Sequence, residues 1–526
     1  MCIMKIYLNI FCILLTSLKF SETANILAII PTPSFSHQIP FRSLWTELSL
    51  KGHNVTLVTT DPIKNSSLTN LHEIDISYAY KYVEKYKYVE IASDDTKSNF
   101  DILKSIRGLA NETNHHFFQS PEGQNLIHNK DNKFDLLIVE AQLPVMMVFS
   151  WHYKIPFIGV SSLDCSLQYH DSAGNPTHPV INPDPNQPVA NLQDMTFWER
   201  LQSFILINIY RIIIYFDTLK RETNILKIYF GDDVPPLVDI QNNISMLFIS
   251  MNPIFQSIRP LMPNTISLGN GMHIFPNQTL PKDIKHFLDG ARQGAIYFSL
   301  GSNVKCEILN INTKAELLKA FKDLPYKVLW RTDNYFENLP KNVMVQKWLP
   351  QQGVLEHPNI KLFITQGGLQ SMQESIYYDK PMIGISFFGD QHANVQRMVV
   401  QGFGIHLSKN NITKESVTNA IKEIMNNPRY TEKAKQFGKI IRDVDMPNID
   451  KAIWWTEYVI RHKGAKHFRS PTVDMPFWKY YLLDVIGFFL GIIYVIYNIL
   501  KIFFKLLIKF FRIFYKKGTH KKEKTS

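Results

Sequence analysis

Residues 361–392, KLFITQGGLQSMQESIYYDKPMIGISFFGDQH, decide how this chain is to be read. The apolar run 362–365 reads as a short strand, Gly367 and Gly368 as a turn, the residues to about 378 as an amphipathic helix, and 382–386 as a second strand. A polar loop with Asp390 and Gln391 follows. This is a strand–turn–helix–strand unit with its polar residues at one end. Glycines after a strand let the backbone approach a ligand closely, and the free N–H groups of the next helix favour anionic oxygen, phosphate above all. In an open parallel sheet, ligands bind at the carboxyl ends of the strands, where these residues fall.

The same rhythm extends both ways along the chain. Residues 294–300 form a strand running into Gly301, Ser302 and Asn303, 313–322 a helix, and 326–332 and 343–350 two more strands, the latter ending at Gln351. Helical periodicity covers 394–400, 414–425, 430–442 and 449–462. In the first half, 24–30 reads as a buried strand, 39–50 as a helix and 55–59 as a strand. That places His37 in the loop at the carboxyl end of the first strand. A further strand, 134–140, ends in Glu140, so two titratable groups share one sheet edge, where they can meet as a base and its orienting carboxylate or stay a helix-start His and a solvated strand-end Glu. Residues 61–133 read as an irregular, tyrosine-rich lobe and 171–193 as a loop. The apolar helical stretch 197–230 suits core packing, a lipophilic pocket or a membrane surface. Pro260, Pro263, Pro276 and Pro281 put a domain linker at about 260–285. The fold class is α/β, with domains over 24–262 and 285–465.

At 526 residues the chain exceeds what one hydrophobic core usually supports, which agrees with two domains. Its net charge of +11 looks at first like a nucleic-acid signal. Nine Lys and Arg and one Glu in 501–526 supply +8 of it, leaving a nearly neutral body, so nucleic acid is not expected as a partner. The two ends carry targeting patterns. Lys5, the apolar run 6–15 and the small residues to about 24 are laid out as a secretory leader over 1–23. Residues 480–500 are apolar enough to cross a bilayer, and Lys501, Lys505, Lys509 and Arg512 form a basic stripe in a cytosolic tail, 501–526. Lys522, Glu523 and Lys524 before the last two residues resemble an endoplasmic-reticulum retrieval signal. Sequons at Asn54, Asn65, Asn111, Asn243, Asn277 and Asn411 are compatible with a lumenal body. With Cys2 and Cys12 in the leader, Cys165 and Cys306 are too few for a disulfide framework.

The polar groups of the second half converge on one kind of ligand. Gln370 and Glu374 are four apart on the helix that opens at the Gly-Gly turn, so Glu374 reaches the same ligand one turn deeper, as a carboxylate accepting ribose hydroxyls would. Trp348 offers a stacking face, and Asp390 with Gln391 offers hydrogen bonds to sugar hydroxyls. A nucleotide diphosphate sugar needs all of these, and the helix N-terminus can offset the leaving diphosphate's charge without a metal.

WLPQQ at 348–352, FITQGG at 363–368, Glu374, Pro381 and the pair Asp390-Gln391 together resemble the signature of the UDP-glycosyltransferase family. SHQIPF at 36–41, IRHKGA at 460–465 and the tail anchor extend the likeness to essentially the whole mature chain, closest to insect membrane-bound members. The resemblance implies a GT-B fold, two Rossmann-like domains facing a cleft, with the acceptor bound by the first and the UDP-sugar by the second. It implies His37 as general base and Glu140 as the carboxylate steadying it. It assigns Trp348 to uracil, Gln351 to the nucleoside, Ser302 and the turn Gln366, Gly367, Gly368, Gln370 and Ser371 to diphosphate, Glu374 to ribose, and Asp390 and Gln391 to the sugar. The family is an enzyme class without metal or resident cofactor, the UDP-sugar being a co-substrate. The chain departs from the pattern at Glu140, where vertebrate members usually carry Asp, at Gln366, often His, at Gly353, often Asp or Asn, and at Ser386, often Pro.

The implied reaction is inverting transfer of a hexose, glucose above all, to a hydroxyl of a small lipophilic acceptor, in detoxification or in hormone or pigment conjugation. Glucuronic acid as donor, with Arg42 or Lys347 as the cation for its carboxylate, and a catalytically weak paralogue that only holds lipophiles stand as alternatives. The expected setting is the endoplasmic-reticulum membrane, single-pass type I, with lumenal catalytic domains and self-association left open.

Overall fold

The structure is a computed structural model that describes residues 23–183, 194–269, 271–304, 308–334 and 336–522. The leader segment but for Thr23, Cys306 and the last four residues of the retrieval-type tail lie outside the described residues.

The first sheet is built from runs too apolar to face water on either side. Strands β1 (Asn25–Ile30) and β4 (Leu136–Glu140) are buried almost throughout, as central parallel strands covered by helices on both faces must be. They pair with each other, and β2 (Asn54–Thr59) and β3 (Leu71–Asp75) extend the sheet on one side. On the other side stand β5 (Phe157–Ser161), β6 (Met246–Ile249) and β7 (Thr265–Ser267), giving the all-parallel order β3-β2-β1-β4-β5-β6-β7. The order reverses between β1 and β4, and a doubly wound sheet opens its ligand crevice at that switch point.

The second sheet repeats the plan with six parallel strands. These are β8 (Ala295–Ser299), β9 (Lys327–Arg331), β10 (Val343–Gln346), β11 (Ile360–Thr365), β12 (Met382–Gly384) and β13 (Gly404–His406), in the order β10-β9-β8-β11-β12-β13. Its switch point lies between β8 and β11, so the turns after Ser299 and Thr365 adjoin. Each sheet is sandwiched between two apolar clusters, and the two sheets are the two Rossmann-like domains that the sequence implies.

Several expected boundaries move. The first helix spans Phe35–Leu50, so His37 sits in its first turn and not in the preceding loop. Residues 61–133 are not irregular: they hold β3 and helices Tyr80–Lys85, Tyr88–Ser93, Asn99–Gln119 and Pro121–His128. Strand β7 lies inside the stretch read as a linker, so the first domain runs past 262 to Ser267. The helix Asn448–Arg461, assigned by order to the second domain, buries Ala452, Ile453 and Val459 in the first domain's cluster with Leu44, Trp45 and Leu48. The chain thus crosses back and closes its first domain from the carboxyl side.

A separate unit begins at Ser470. Its main element is the helix Leu483–Lys522, entered at Leu482, whose positive φ of 52° breaks the chain away from the short turn Phe477–Tyr480. The part from Leu483 to Phe514 is long and apolar enough to cross a membrane, beginning later than 480 and continuing unbroken through the basic stripe after 500.

Candidate active site

His37 and Glu140 come together at the first switch point. His37, in the turn that opens the helix after β1, places Nδ1 2.6 Å from Oε1 of Glu140, the last residue of β4. The Glu140 side chain is fully buried and His37 18% exposed, so the carboxylate sits behind and the ring faces the cavity. Oε2 of Glu140 accepts the backbone N–H of Thr32 at 3.2 Å, which fixes the carboxylate on the loop leading to the histidine. A carboxylate at Nδ1 makes that nitrogen the N–H donor and leaves Nε2 as the basic atom.

The opposing wall comes from the second switch point. Gly367, at φ +85°, turns the chain after β11, and Gly368 precedes the helix Leu369–Tyr377 with no capping side chain, leaving its first N–H groups to a ligand. Gln366 is buried, receives Thr365 Oγ1 at 3.0 Å, and lies against Gly301, whose Cβ would stand 2.1 Å from the Gln366 Nε2. Ser302 is exposed beside it in the turn after β8. Trp348 is 60% exposed, with the guanidinium of Arg331 5.1 Å from its ring centre and Phe35 edge-on at 5.7 Å. One of its faces is therefore shared with an arginine.

Glu374 is held rather than free. Gln351 Nε2 donates to its Oε2 at 2.6 Å and to Ser371 Oγ at 3.0 Å, Gln352 Nε2 donates to its Oε1 at 3.1 Å, and His273 Nε2 lies 3.2 Å from the same oxygen. Asp390 accepts from Asn394 Nδ2 at 2.7 Å; burial pushes its carboxyl up, against that hydrogen bond and the nearby His37. Gln391 is buried and its Oε1 receives the backbone N–H groups of Phe387 and Phe388, so it shapes the loop. Gln370 points away from the turn and donates across the cleft to Ser36 and Ser162.

His37, Ser302, Trp348, Gln351, Gln366, Gly368, Gln370, Ser371, Glu374, Asp390 and Gln391 line one cavity of about 1020 Å³ between the two sheets, with Glu140 and Gly367 behind its wall. Arg331, Asn303, Gln352 and Tyr88 also line it, and His273 contacts Glu374; none of the five has a role assigned from the sequence. Arg331 ends a strand and Asn303 follows Ser302, so strand-end position alone points to both. Nothing local marks His273 or Tyr88. Tyr88 comes from the lobe of the first domain, where Tyr88, Val89 and Ala92 pack on the second domain's core and Tyr88 meets Phe388 edge-on at 6.0 Å. Lys409 fastens that strap, donating to Ser93 O at 2.6 Å and Asp95 Oδ1 at 2.8 Å. Neither Arg42 nor Lys347 lines the cavity; Arg42 stacks near Phe35 instead.

Among the described residues, one group has metal-ligand types in reach of one another: Asp164, Cys165 and His170. Its lone pairs are already engaged. Asn175 Nδ2 donates to His170 Nδ1 at 3.1 Å, so His170 Nε2 carries the hydrogen it gives Asp164 at 2.9 Å, and Arg259 stands 3.5 Å from the other Asp164 oxygen. Burial pushes the Cys165 thiol up, away from the thiolate a metal takes.

Comparison with known proteins shows the family and the fold. Residues 25–522 match the family described as UDP-glucoronosyl and UDP-glucosyl transferase. UDP-glycosyltransferase UGT5 of Dactylopius coccus is 35% identical over 497 residues, covering 92% of this chain and 93% of its own. UDP-glucosyltransferase 2 of the same species is 33% identical over 478 residues, 89% and 90% of the two chains. Among solved structures, the glycotransferase of kitacinnamycin shares the fold, with a TM-score of 0.53 over 83% of this chain and 98% of its own at 18% identity. The architecture is GT-B. With the family match running nearly from end to end, the chain belongs to the UDP-glucoronosyl and UDP-glucosyl transferases and is a UDP-glycosyltransferase.

Proposed function

We propose that this enzyme transfers glucose from UDP-glucose, with inversion, to a hydroxyl of a small lipophilic acceptor. The observation that carries the reading is the His37–Glu140 contact of 2.6 Å in the same cavity as the uncapped helix N-terminus at Gly368. His37 Nε2 takes the acceptor's proton as its oxygen bonds to the anomeric carbon; the bond from that carbon to the β-phosphate oxygen breaks, and UDP leaves with the electron pair. Glu140 stabilises the imidazolium that forms. Trp348 stacks on uracil, Gln351 faces the nucleoside, Glu374 takes the ribose, and Ser302, Gln366, Gly367, Gly368 and Ser371 receive the diphosphate. Asp390 and Gln391 address the sugar. No resident cofactor enters, so a chelator leaves turnover unchanged.

Glucose is favoured over glucuronic acid by the charges around the cavity. Its described lining holds three guanidinium groups, each already placed. Arg331 donates to the carbonyls of Gly301 and Lys347, Arg397 to those of Pro253 and Gln256, and Arg259 faces Asp164. A uronate carboxylate would enter beside the Asp390 carboxylate, while the Arg259 charge already faces Asp164. The name of the relative UDP-glucosyltransferase 2 points the same way. The setting we assign is the endoplasmic-reticulum membrane, anchored by Leu483–Phe514 with the two sheets lumenal. Five of the sequon asparagines are exposed and Asn111 is half-buried.

The test is a donor competition on detergent-solubilised full-length protein with a phenol panel. UDP-glucose should outcompete UDP-glucuronic acid, and His37→Ala should abolish most turnover. Preference for the uronate, or undiminished turnover in the variant, refutes the corresponding part.

A further inference from the structure

Pro40 lies inside the helix Phe35–Leu50. Having no N–H, it leaves the carbonyl of Ser36, four residues earlier, without the donor an α-helix would provide. A residue from the other domain supplies one. Gln370 Nε2 stands 3.2 Å from Ser36 O and 3.0 Å from Ser162 O, both on the first domain. Ser36 adjoins His37, and Ser162 follows β5 on the same sheet edge. A carboxamide nitrogen carries two hydrogens, and these two carbonyls engage both, so none remains for a phosphate oxygen. Asn303 adds a second tie at the same place: its Oδ1 receives Ser34 Oγ at 3.0 Å and its Nδ2 reaches Ser36 Oγ at 3.4 Å.

We infer that Gln370 is a positioning residue for the base, not a ligand of the UDP-sugar: it fills the carbonyl that Pro40 orphans and so sets the first turn carrying His37 when the two domains meet. The inference rests on the reading of His37 given above. Parting of the domains would remove the donor from Ser36 O and free that turn, so the base is in place only in the closed enzyme. An error of about 1 Å in the placement of a catalytic group costs on the order of a hundredfold.

The test uses the full chain in detergent and three variants: Gln370→Met, which keeps length without hydrogen bonding, Pro40→Ala, which returns an N–H to Ser36 O, and the double variant. Gln370→Met should lower kcat roughly ten- to a hundredfold while the inhibition constant for UDP stays within about twofold. The double variant should recover part of the lost kcat, because Ser36 O regains a donor while Ser162 O does not. A weakened UDP constant at unchanged kcat would make Gln370 a donor ligand and overturn the inference. So would an equal loss with and without Pro40. Absence of turnover in the unmodified enzyme with every UDP-sugar would instead refute the proposed function.

Discussion

Nδ1 of His37 and Oε1 of Glu140 lie 2.6 Å apart although 103 residues separate them in the chain. The fold makes the contact by pairing β1 with β4, so that the loop leaving one strand meets the last residue of the other. Glu140 is fully buried with its second oxygen on the Thr32 N–H.

From this contact, His37→Ala should cost turnover roughly a hundredfold to ten-thousandfold with UDP binding retained, the usual size of general-base catalysis. Glu140→Gln keeps the shape without the charge and should lower kcat more than KM for either substrate. Glu140→Asp should also lose activity, since the shorter side chain falls short of Nδ1. Steady-state kinetics with separate UDP inhibition constants check all three; an Asp variant as active as the parent would mean the loop follows the carboxylate.

The sequence made this pair legible because both members flank strands buried on two faces, whose unbroken apolar runs betray their ends. The Gly-Gly turn was legible for the same reason, from Leu362 to Thr365 and the glycines after it. What stayed hidden depends on partners distant in the chain. LHEID, the strand β3, is half exposed at the sheet edge and lacks the apolar run of a central strand. The helix Asn448–Arg461 shows an apolar face but not which sheet it will cover. Gln370 is read from the sequence as a donor ligand by its place after the glycines, a place that does not show its contacts with Ser36 O and Ser162 O on the first domain. Tyr88 lies in sequence that looks irregular because its packing surface, Phe388, is about 300 residues away.

The strap should make donor binding sensitive to salt. Asp95 is largely exposed while Lys409 is mostly covered, so their 2.8 Å ion pair is one that ions can screen. Raising sodium chloride from about 0.05 to about 0.5 M should increase the KM for UDP-glucose by about twofold. Asp95→Ala should show the raised value already at low salt and little further change. A parent enzyme with no salt dependence would show that the remaining contacts, Lys409 to Ser93 O and the packing of Val89 and Ala92, hold the strap alone.

Glu222 predicts a pH dependence of stability. It is buried in the helix Leu219–Phe230, its Oε2 has no hydrogen-bond partner among the described residues, and burial pushes its carboxyl up to about 7, against the pull of Arg221 and Arg107. A carboxyl raised in the folded state favours folding below its ordinary value near 4.5, and that contribution is lost as pH rises through about 7. Above that pH the folded chain carries a buried charge costing up to roughly 3 kcal/mol. Glu222→Gln should therefore unfold at a higher temperature than the parent at pH 8, with the difference closing toward pH 5. Thermal melts at both values decide it; an equal difference at the two would trace the effect to packing.

Gly301 should be the least replaceable residue of the donor turn. Its φ of +74° lies in the left-handed region that a side chain makes costly, and a Cβ there would stand 2.1 Å from Gln366 Nε2, 2.9 Å from its Cδ and 3.0 Å from its Oε1. Gly301→Ala must then either twist the backbone, moving the carbonyl that Arg331 holds, or push the Gln366 carboxamide out of its place beside Thr365. Both displace groups proposed to meet the diphosphate, and the first also shifts the guanidinium stacked on Trp348. The expected result is a UDP inhibition constant weaker by roughly tenfold or more, with His37 and Glu140 undisturbed. Gln366→Ala separates the two routes: combined with Gly301→Ala it removes the clash but not the backbone strain. Recovery of UDP affinity in the double variant relative to Gly301→Ala alone would assign the loss to the carboxamide, and no recovery would assign it to the turn itself.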